Sequence, residues 1–134
     1  MQKILVVDDE KDMCHLISSI LKGEGYSVDK AYNCRQAIQR IKATGYNLMI
    51  LDYKLPNSNG INLLKEVRRI QPSLKVIMLS AYGSPSIKSM AKQFKVYRFI
   101  DKPFDLNRLV RVVRGALSKK VRARLTAPLK KRNL

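Results

Sequence analysis

Lys3-Ile4-Leu5-Val6-Val7-Asp8-Asp9-Glu10 is an apolar run that ends in three acids, and Leu48-Met49-Ile50-Leu51-Asp52 repeats the pattern with one. Runs this short and this apolar, set between stretches of helical period, read as strands buried on both faces of a parallel sheet. Open α/β sheets place ligand sites beyond the carboxyl ends of their strands, which is where Asp8, Asp9 and Asp52 fall. If the two strands are neighbours, three carboxylates converge. Like charges so close repel unless a cation lies between them, so the pattern asks for a divalent metal and points to phosphate chemistry.

The alternation continues outward from these strands. Asp9-Glu10-Lys11-Asp12 suits a helix start, and Met13, Leu16, Ile17, Ile20 and Leu21 follow at helical spacing until Gly23 and Gly25. A strand near residues 27–31 precedes a helix capped by Asn33, with Ala37, Ile38 and Ile41 on its apolar face. Pro56-Asn57-Ser58-Asn59-Gly60 is a cluster of turn residues, after which Ile61, Leu64, Val67 and Arg68 resume the helical period. Residues 75–79 read as a fourth strand, 80–85 as a loop, and Ile87, Met90, Ala91 and Phe94 as the face of a fourth helix. Residues 97–100 make a short fifth strand. Asp105 then caps a last helix with Leu106, Leu109, Val110, Val113 and Leu117 inward and Arg108, Arg111 and Arg114 outward. Strict alternation of five strands with five helices requires a doubly wound α/β fold, with right-handed crossovers and helices on both faces of a parallel sheet.

At 134 residues and 46% apolar, the chain suits one domain with one core. No apolar stretch approaches the roughly 18 residues that span a bilayer. Met1-Gln2-Lys3 leads directly into a strand, so a cytoplasmic protein is expected. Cys14 and Cys34 match no metal or redox spacing and read as small apolar residues. The charge is the unusual quantity: 27 Lys and Arg against 10 Asp and Glu give +17. Residues 119–134 hold seven of the basic residues and no acid, a basic extension that is either continued helix or a disordered arm, and the remaining 1–118 is still basic. Such a field favours polyanions or an acidic protein partner.

Val6-Val7-Asp8-Asp9-Glu10, Leu51-Asp52-Tyr53-Lys54-Leu55-Pro56 with Gly60, Leu79-Ser80-Ala81-Tyr82-Gly83 and Asp101-Lys102-Pro103-Phe104 resemble the four signature segments of the response-regulator receiver domain of two-component signalling. The segments follow in order at the ends of strands one, three, four and five. The resemblance implies a flavodoxin-like (βα)5 fold with strand order 2-1-3-4-5. It implies that Asp52 is the phosphoacceptor, attacking a phosphoryl group on a sensor histidine kinase or a histidine phosphotransfer protein. It gives Mg²⁺ or Mn²⁺ as the metal, held by Asp9 directly, by Asp8 mainly through water or a hydrogen bond, by Asp52 and by the Lys54 backbone carbonyl. Lys102 supplies a point charge for the phosphoryl oxygens and Ser80 a hydroxyl that can swing onto them. Phe99 falls where the family carries an aromatic switch, and Lys102-Pro103 is a candidate cis bond.

Blander readings accompany each assignment. A lone Asp after a strand is commonly a helix cap, Ser80 alone is a turn hydroxyl, and Phe99 alone is core. His15 reads as structural or surface. Where receivers usually carry a small Gly-Ala-type pair, this chain has Phe94-Lys95-Val96-Tyr97-Arg98. Lys88, Lys92, Lys95, Arg98, Arg108, Arg111 and Arg114 are expected to make the face of the fourth helix, fifth strand and last helix basic. Like charge there argues for a monomer before phosphorylation.

The primary expectation is a phosphorylatable switch acting through that face, either stand-alone, as in sporulation-relay receivers, or as the receiver part of an enhancer-binding transcription regulator. No dedicated enzyme activity is expected beyond metal-dependent self-phosphorylation and autodephosphorylation, which the Lys54 side chain borders. An aspartyl phosphatase or phosphomutase would need Asp-x-Asp after strand one, which adjacent Asp8-Asp9 does not supply. A basic nucleic-acid-binding module with a vestigial phosphorylation site would explain the charge but leave the carboxylates without a role.

Overall fold

The computed structural model describes residues 1–81 and 83–118. The main elements are β1 (Lys3–Val7), α1 (Lys11–Gly23), β2 (Ser27–Ala31), α2 (Cys34–Ala43), β3 (Leu48–Asp52), α3 (Gly60–Ile70), β4 (Lys75–Ser80), α4 (Pro85–Gln93), β5 (Arg98–Asp101) and α5 (Leu106–Leu117). All pairs in the five-stranded sheet are parallel, in the order β2-β1-β3-β4-β5, as expected. The expected basic extension at 119–134 lies outside the described residues.

Side-chain alternation along the strands divides the core in two. Leu5, Val7, Met49, Leu51, Val76 and Met78 face α2, α3 and α4, meeting Ala37, Ile41, Leu64, Val67 and Ala91. Ile4, Val6, Leu48, Ile50, Ile77 and Leu79 face α1 and α5, meeting Cys14, Ile17, Leu21, Leu109 and Val113. The central strands are therefore apolar at every position between their ends, and each fully buried Leu, Ile or Val side chain contributes about 1.5–3 kcal/mol. Side-chain caps start four of the helices: Asn33, Asn59, Ser84 and Asp105 accept from the amides of Gln36, Asn62, Ile87 and Asn107. α1 begins at Glu10 without such a bond. No described helix is long and apolar enough to cross a membrane.

Several details differ from the sequence expectation. The turn cluster after β3 contains a hairpin of two-residue strands, Lys54–Leu55 and Ser58–Asn59, turned through Asn57 at φ 61°. Leu16 and Met90, expected inward, are 44% and 39% exposed because α1 and α4 bury narrower stripes than their apolar residues span. β5 runs one residue later than expected, since the Tyr97 amide donates to Val76 before strand pairing begins. Arg114 does not join the α4-β5-α5 face; it pairs with Glu24 at the end of α1. Arg68, on α3, donates to the carbonyls of Leu74, Phe94 and Lys95, which fixes the end of α4 where Lys95 takes φ 63° in place of a glycine.

Candidate functional site

Register brings the acids together. Val7 lies beside Leu51, so Asp8 and Asp52, the next residue on each chain, leave adjacent strands side by side. Carboxylate oxygens of Asp8, Asp9 and Asp52 lie within 4.8 Å of one another. On the other side, Ser80 pairs with Asp101 at the ends of β4 and β5, and the Lys102 amide donates to the Ser80 carbonyl at 2.8 Å. This places the Lys102 side chain over the pocket, where Nζ donates to Asp52 Oδ2 at 2.9 Å. The Lys102-Pro103 bond is cis.

The result is a cavity of about 260 Å³ lined by Asp9, Glu10, Asp52, Tyr53, Lys54, Ser80, Ala81 and Lys102. Asp8, Asp52 and Ser80 are buried, whereas Asp9 is exposed at the rim. Asp8 Oδ1 accepts from the Glu10 amide at 2.9 Å, but its buried Oδ2 has no protein partner. Burial, followed by the charge of Asp52, outweighs the Glu10 amide and raises the Asp8 carboxyl from 3.8 to about 6. For Lys102, burial opposes the charged form, but the hydrogen bond and negative charge of Asp52 more than offset it and raise the ammonium's pKa.

The backbone after Asp52 is held as closely as the side chains. The Tyr53 amide donates to Leu79 and the Lys54 amide reaches Asp52 Oδ1 at 3.3 Å. Gly60 donates to the Tyr53 carbonyl at 2.6 Å, and a Cβ there would sit 2.9 Å from the Asp52 carbonyl oxygen. Only glycine permits that approach. Phe99 is half-buried on β5, with Lys88 Nζ 5.5 Å from its ring centroid and 3.0 Å from Asp101 Oδ2. A Cβ on Gly83 would meet Asp101, Lys88 and Phe99 together.

Every sequence-predicted site residue except Phe99 thus lies in or beside one pocket, and Phe99 lies behind the loop that follows β4. His15 is exposed on α1, its Nδ1 2.7 Å from Lys30 Nζ. Glu10 lines the pocket without having been singled out, although its place beside Asp9 was the available signal. The Lys88–Asp101 pair was also missed, because nothing in the local pattern couples residues on different elements. Beside the pocket, Met13, Leu16, Ala81, Pro103, Phe104 and Leu106 line an apolar hollow of about 460 Å³, which Lys102 borders.

Comparison with known proteins decides the family. The response regulator receiver domain matches residues 4–114. The chain belongs to that family. As a receiver, it is 39% identical over 116 residues to the nitrogen assimilation regulatory protein NtrX of Azorhizobium caulinodans, covering 85% of this chain and 26% of that protein. It is also 32% identical over 108 residues to sporulation initiation phosphotransferase F of Bacillus subtilis, covering 81% of this chain and 87% of that one. Among solved structures, the response regulator TrrA of Thermotoga maritima in complex with Mg²⁺ and BeF superposes with a TM-score of 0.78 at 32% identity, covering 87% of this receiver and all of that chain. The receiver spans only about a quarter of the NtrX and ZraR regulators it matches.

Proposed function

We propose that this receiver takes a phosphoryl group onto Asp52 from a phosphohistidine of a sensor kinase or phosphotransfer protein. The observation that carries the proposal is the Lys102–Asp52 contact at 2.9 Å beside three carboxylates whose oxygens lie within 4.8 Å. An Asp52 oxygen forms a bond to phosphorus as the histidine N–P bond breaks, and the released electron pair stays on the imidazole. Lys102 is placed to follow the charge onto the phosphoryl oxygens. Ser80, buried at the end of β4, is the hydroxyl assigned to the same group, and Phe99 the aromatic that responds to it. The face made by α4, β5 and α5 carries the change outward.

The donor set fits Mg²⁺ or Mn²⁺. A hard dication prefers a few oxygens, and Asp8 presents a buried oxygen without a protein partner beside Asp9 and Asp52. Asp9, Asp52, the Lys54 carbonyl and, through water, Asp8 would hold the ion, which when bound offsets charge on the transferring group. TrrA with Mg²⁺ and BeF supports this reading. The apolar hollow beside the pocket, with Leu16 exposed, is suited to seat the donor protein's helix.

Cytoplasmic signalling is part of the same proposal, with a receiver over 1–118 and a basic extension over 119–134. A second reading, the receiver part of a longer DNA-binding regulator, is favoured by its match to a quarter of NtrX. The deciding experiment is intact mass after treatment with acetyl phosphate and Mg²⁺. Addition of one phosphoryl group to the wild-type chain and none to Asp52→Asn is expected; no addition to the wild type would overturn the proposal.

A further inference from the structure

β2 and β5 are the two edges of the sheet, and a basic groove lies at each. The β5–α5 groove, with Arg98, Arg108 and Arg111 exposed, belongs to the output face. The other, of about 500 Å³, runs between β2 and α2, with Lys30 and Tyr32 on the strand side and Gln36, Gln39, Arg40 and Ala43 on the helix side. These α2 residues are spaced i, i+3, i+4 and i+7 and form one stripe of a helix that contains no acid. Lys30 Nζ meets His15 Nδ1 at 2.7 Å, and Lys11 Nζ lies 5.5 Å from the centroid of the Tyr32 ring. Among the described residues neither ammonium is paired with a carboxylate. Arg40 is only loosely held, 4.0 Å from an Asp29 oxygen that already accepts from the Tyr46 hydroxyl at 2.6 Å. Tyr32 is half-buried, and its amide donates to Gln36 Oε1 at 2.8 Å, which leaves the Gln36 amide nitrogen as a donor.

We propose that the β2–α2 groove binds single-stranded nucleic acid, with an unstacked base against Tyr32 within reach of the Gln36 and Gln39 amides, and the flanking phosphates on Lys30 and Arg40, with Lys11 and Arg35 beyond them. Cations gain affinity for a phosphate backbone by releasing its counterions, whatever the sequence. Every base has a π face, so one aromatic ring serves any of them, and amide side chains pair with base edges. The mixture selects against other occupants. An acidic peptide would satisfy the cations but leave the ring and the two amides unused. A duplex keeps its bases stacked and offers the groove only phosphates. A second copy of this chain brings the same cations to the contact, and Asp29, the acid on this strand, is already engaged by Arg40 and Tyr46. The site stands at the far end of the sheet from β5 and needs no phosphoryl group on Asp52.

The test uses the full chain and three labelled probes: a short mixed-sequence oligonucleotide as a single strand, the same sequence as a duplex, and inorganic polyphosphate. The single strand should bind saturably and more tightly than the other two, with affinity falling as salt rises. R35E/R40E on α2 and R108E/R111E on α5 change the net charge equally, so the pair separates this groove from the basic charge of the whole chain. Affinity for the single strand should fall on the order of tenfold or more in R35E/R40E and by no more than about threefold in R108E/R111E. Tyr32→Ala, which leaves the charge unchanged, should lose on the order of tenfold, and Tyr32→Phe, which keeps the ring, should bind as the wild type does. Circular dichroism establishes that each variant is folded, and the exposed Arg35 and Arg40 decide the matter if Tyr32→Ala is not. No saturable binding of the single strand, equal losses in the two double variants, undiminished binding by folded Tyr32→Ala, or a duplex or polyphosphate bound as tightly as the single strand would overturn the proposal.

Discussion

Two regions of this receiver concentrate charge of one sign, and they differ in how much water reaches them. In the pocket, carboxylates of Asp8, Asp9 and Asp52 lie within 4.8 Å, with Asp8 and Asp52 almost completely buried. In the β5–α5 groove, Arg98, Arg108 and Arg111 are exposed. The same repulsion is worth several times more in the drier site, because water and salt screen the groove but reach the pocket poorly. The pocket therefore answers to a single small, highly charged group at fixed geometry. The groove's exposed arginines are each hydrated and screened, so they make no such demand. Burial decides whether collected charge demands a counterion or is left to the solvent.

The sharpest way to break this comparison is at Asp52. Asp52→Asn should abolish labelling by acetyl phosphate, since the amide is not a nucleophile, and labelling at the wild-type level would remove the pocket from its role. Asp9→Ala comes next: Mg²⁺ affinity followed by calorimetry should drop on the order of a hundredfold while circular dichroism is unchanged. Undiminished affinity would mean that the rim carboxylate is not a ligand.

Gly60→Ala probes the backbone side of the pocket. Its Cβ would press on the Asp52 carbonyl at 2.9 Å, and overpacking of this kind costs about 1–3 kcal/mol. A melting temperature equal to the wild type would show that the hairpin gives way freely. A smaller effect concerns pH in metal-free protein. The Asp8 carboxyl is raised in the fold from 3.8 to about 6, so the native state holds that proton more tightly than the unfolded chain. Its contribution to stability is full below about 4, declines as pH rises, and is lost above about 6. Thermal melts in EDTA should show Asp8→Asn gaining on the wild type between pH 4.5 and 7; a constant difference would exclude the effect. The least effect is expected from Arg114→Gln, an exposed ion pair worth no more than about 1 kcal/mol, and a larger loss of stability would show the α1–α5 contact to be structural.

The fold was legible because it depends on period. Short strands, the central ones apolar, alternate with amphipathic helices, and that rule gives a parallel sheet between two helix layers; its order, and with it the pairing of β1 with β3 that brings Asp8 to Asp52, was legible through the family resemblance. Lys102 was legible only through family resemblance, as its sequence neighbours say nothing about a residue fifty positions earlier. Contacts between distant elements left no local trace: Arg114 with Glu24, Lys88 with Asp101, and the clamp of Arg68 on three carbonyls. The hairpin at 54–59 was hidden for a different reason, its strands being only two residues long and one of them, Ser58–Asn59, written in turn residues. Leu16 and Met90 misled because hydropathy marks a residue that can be buried, and packing decides whether it is.

That clamp gives α4 a fulcrum. Arg68 ties the carbonyls of Phe94 and Lys95 to α3, pinning the helix at its far end, while its near end begins at Ser84, next to the loop that leaves the pocket. A helix of nine residues is a lever arm of roughly 13 Å. A push from that loop should be delivered as a swing about Phe94, with the first turn of α4 travelling farthest and the last turn hardly moving. Amide exchange on phosphorylation should then change at Lys88 and stay level at Phe94, and Arg68→Ala should let both ends respond alike.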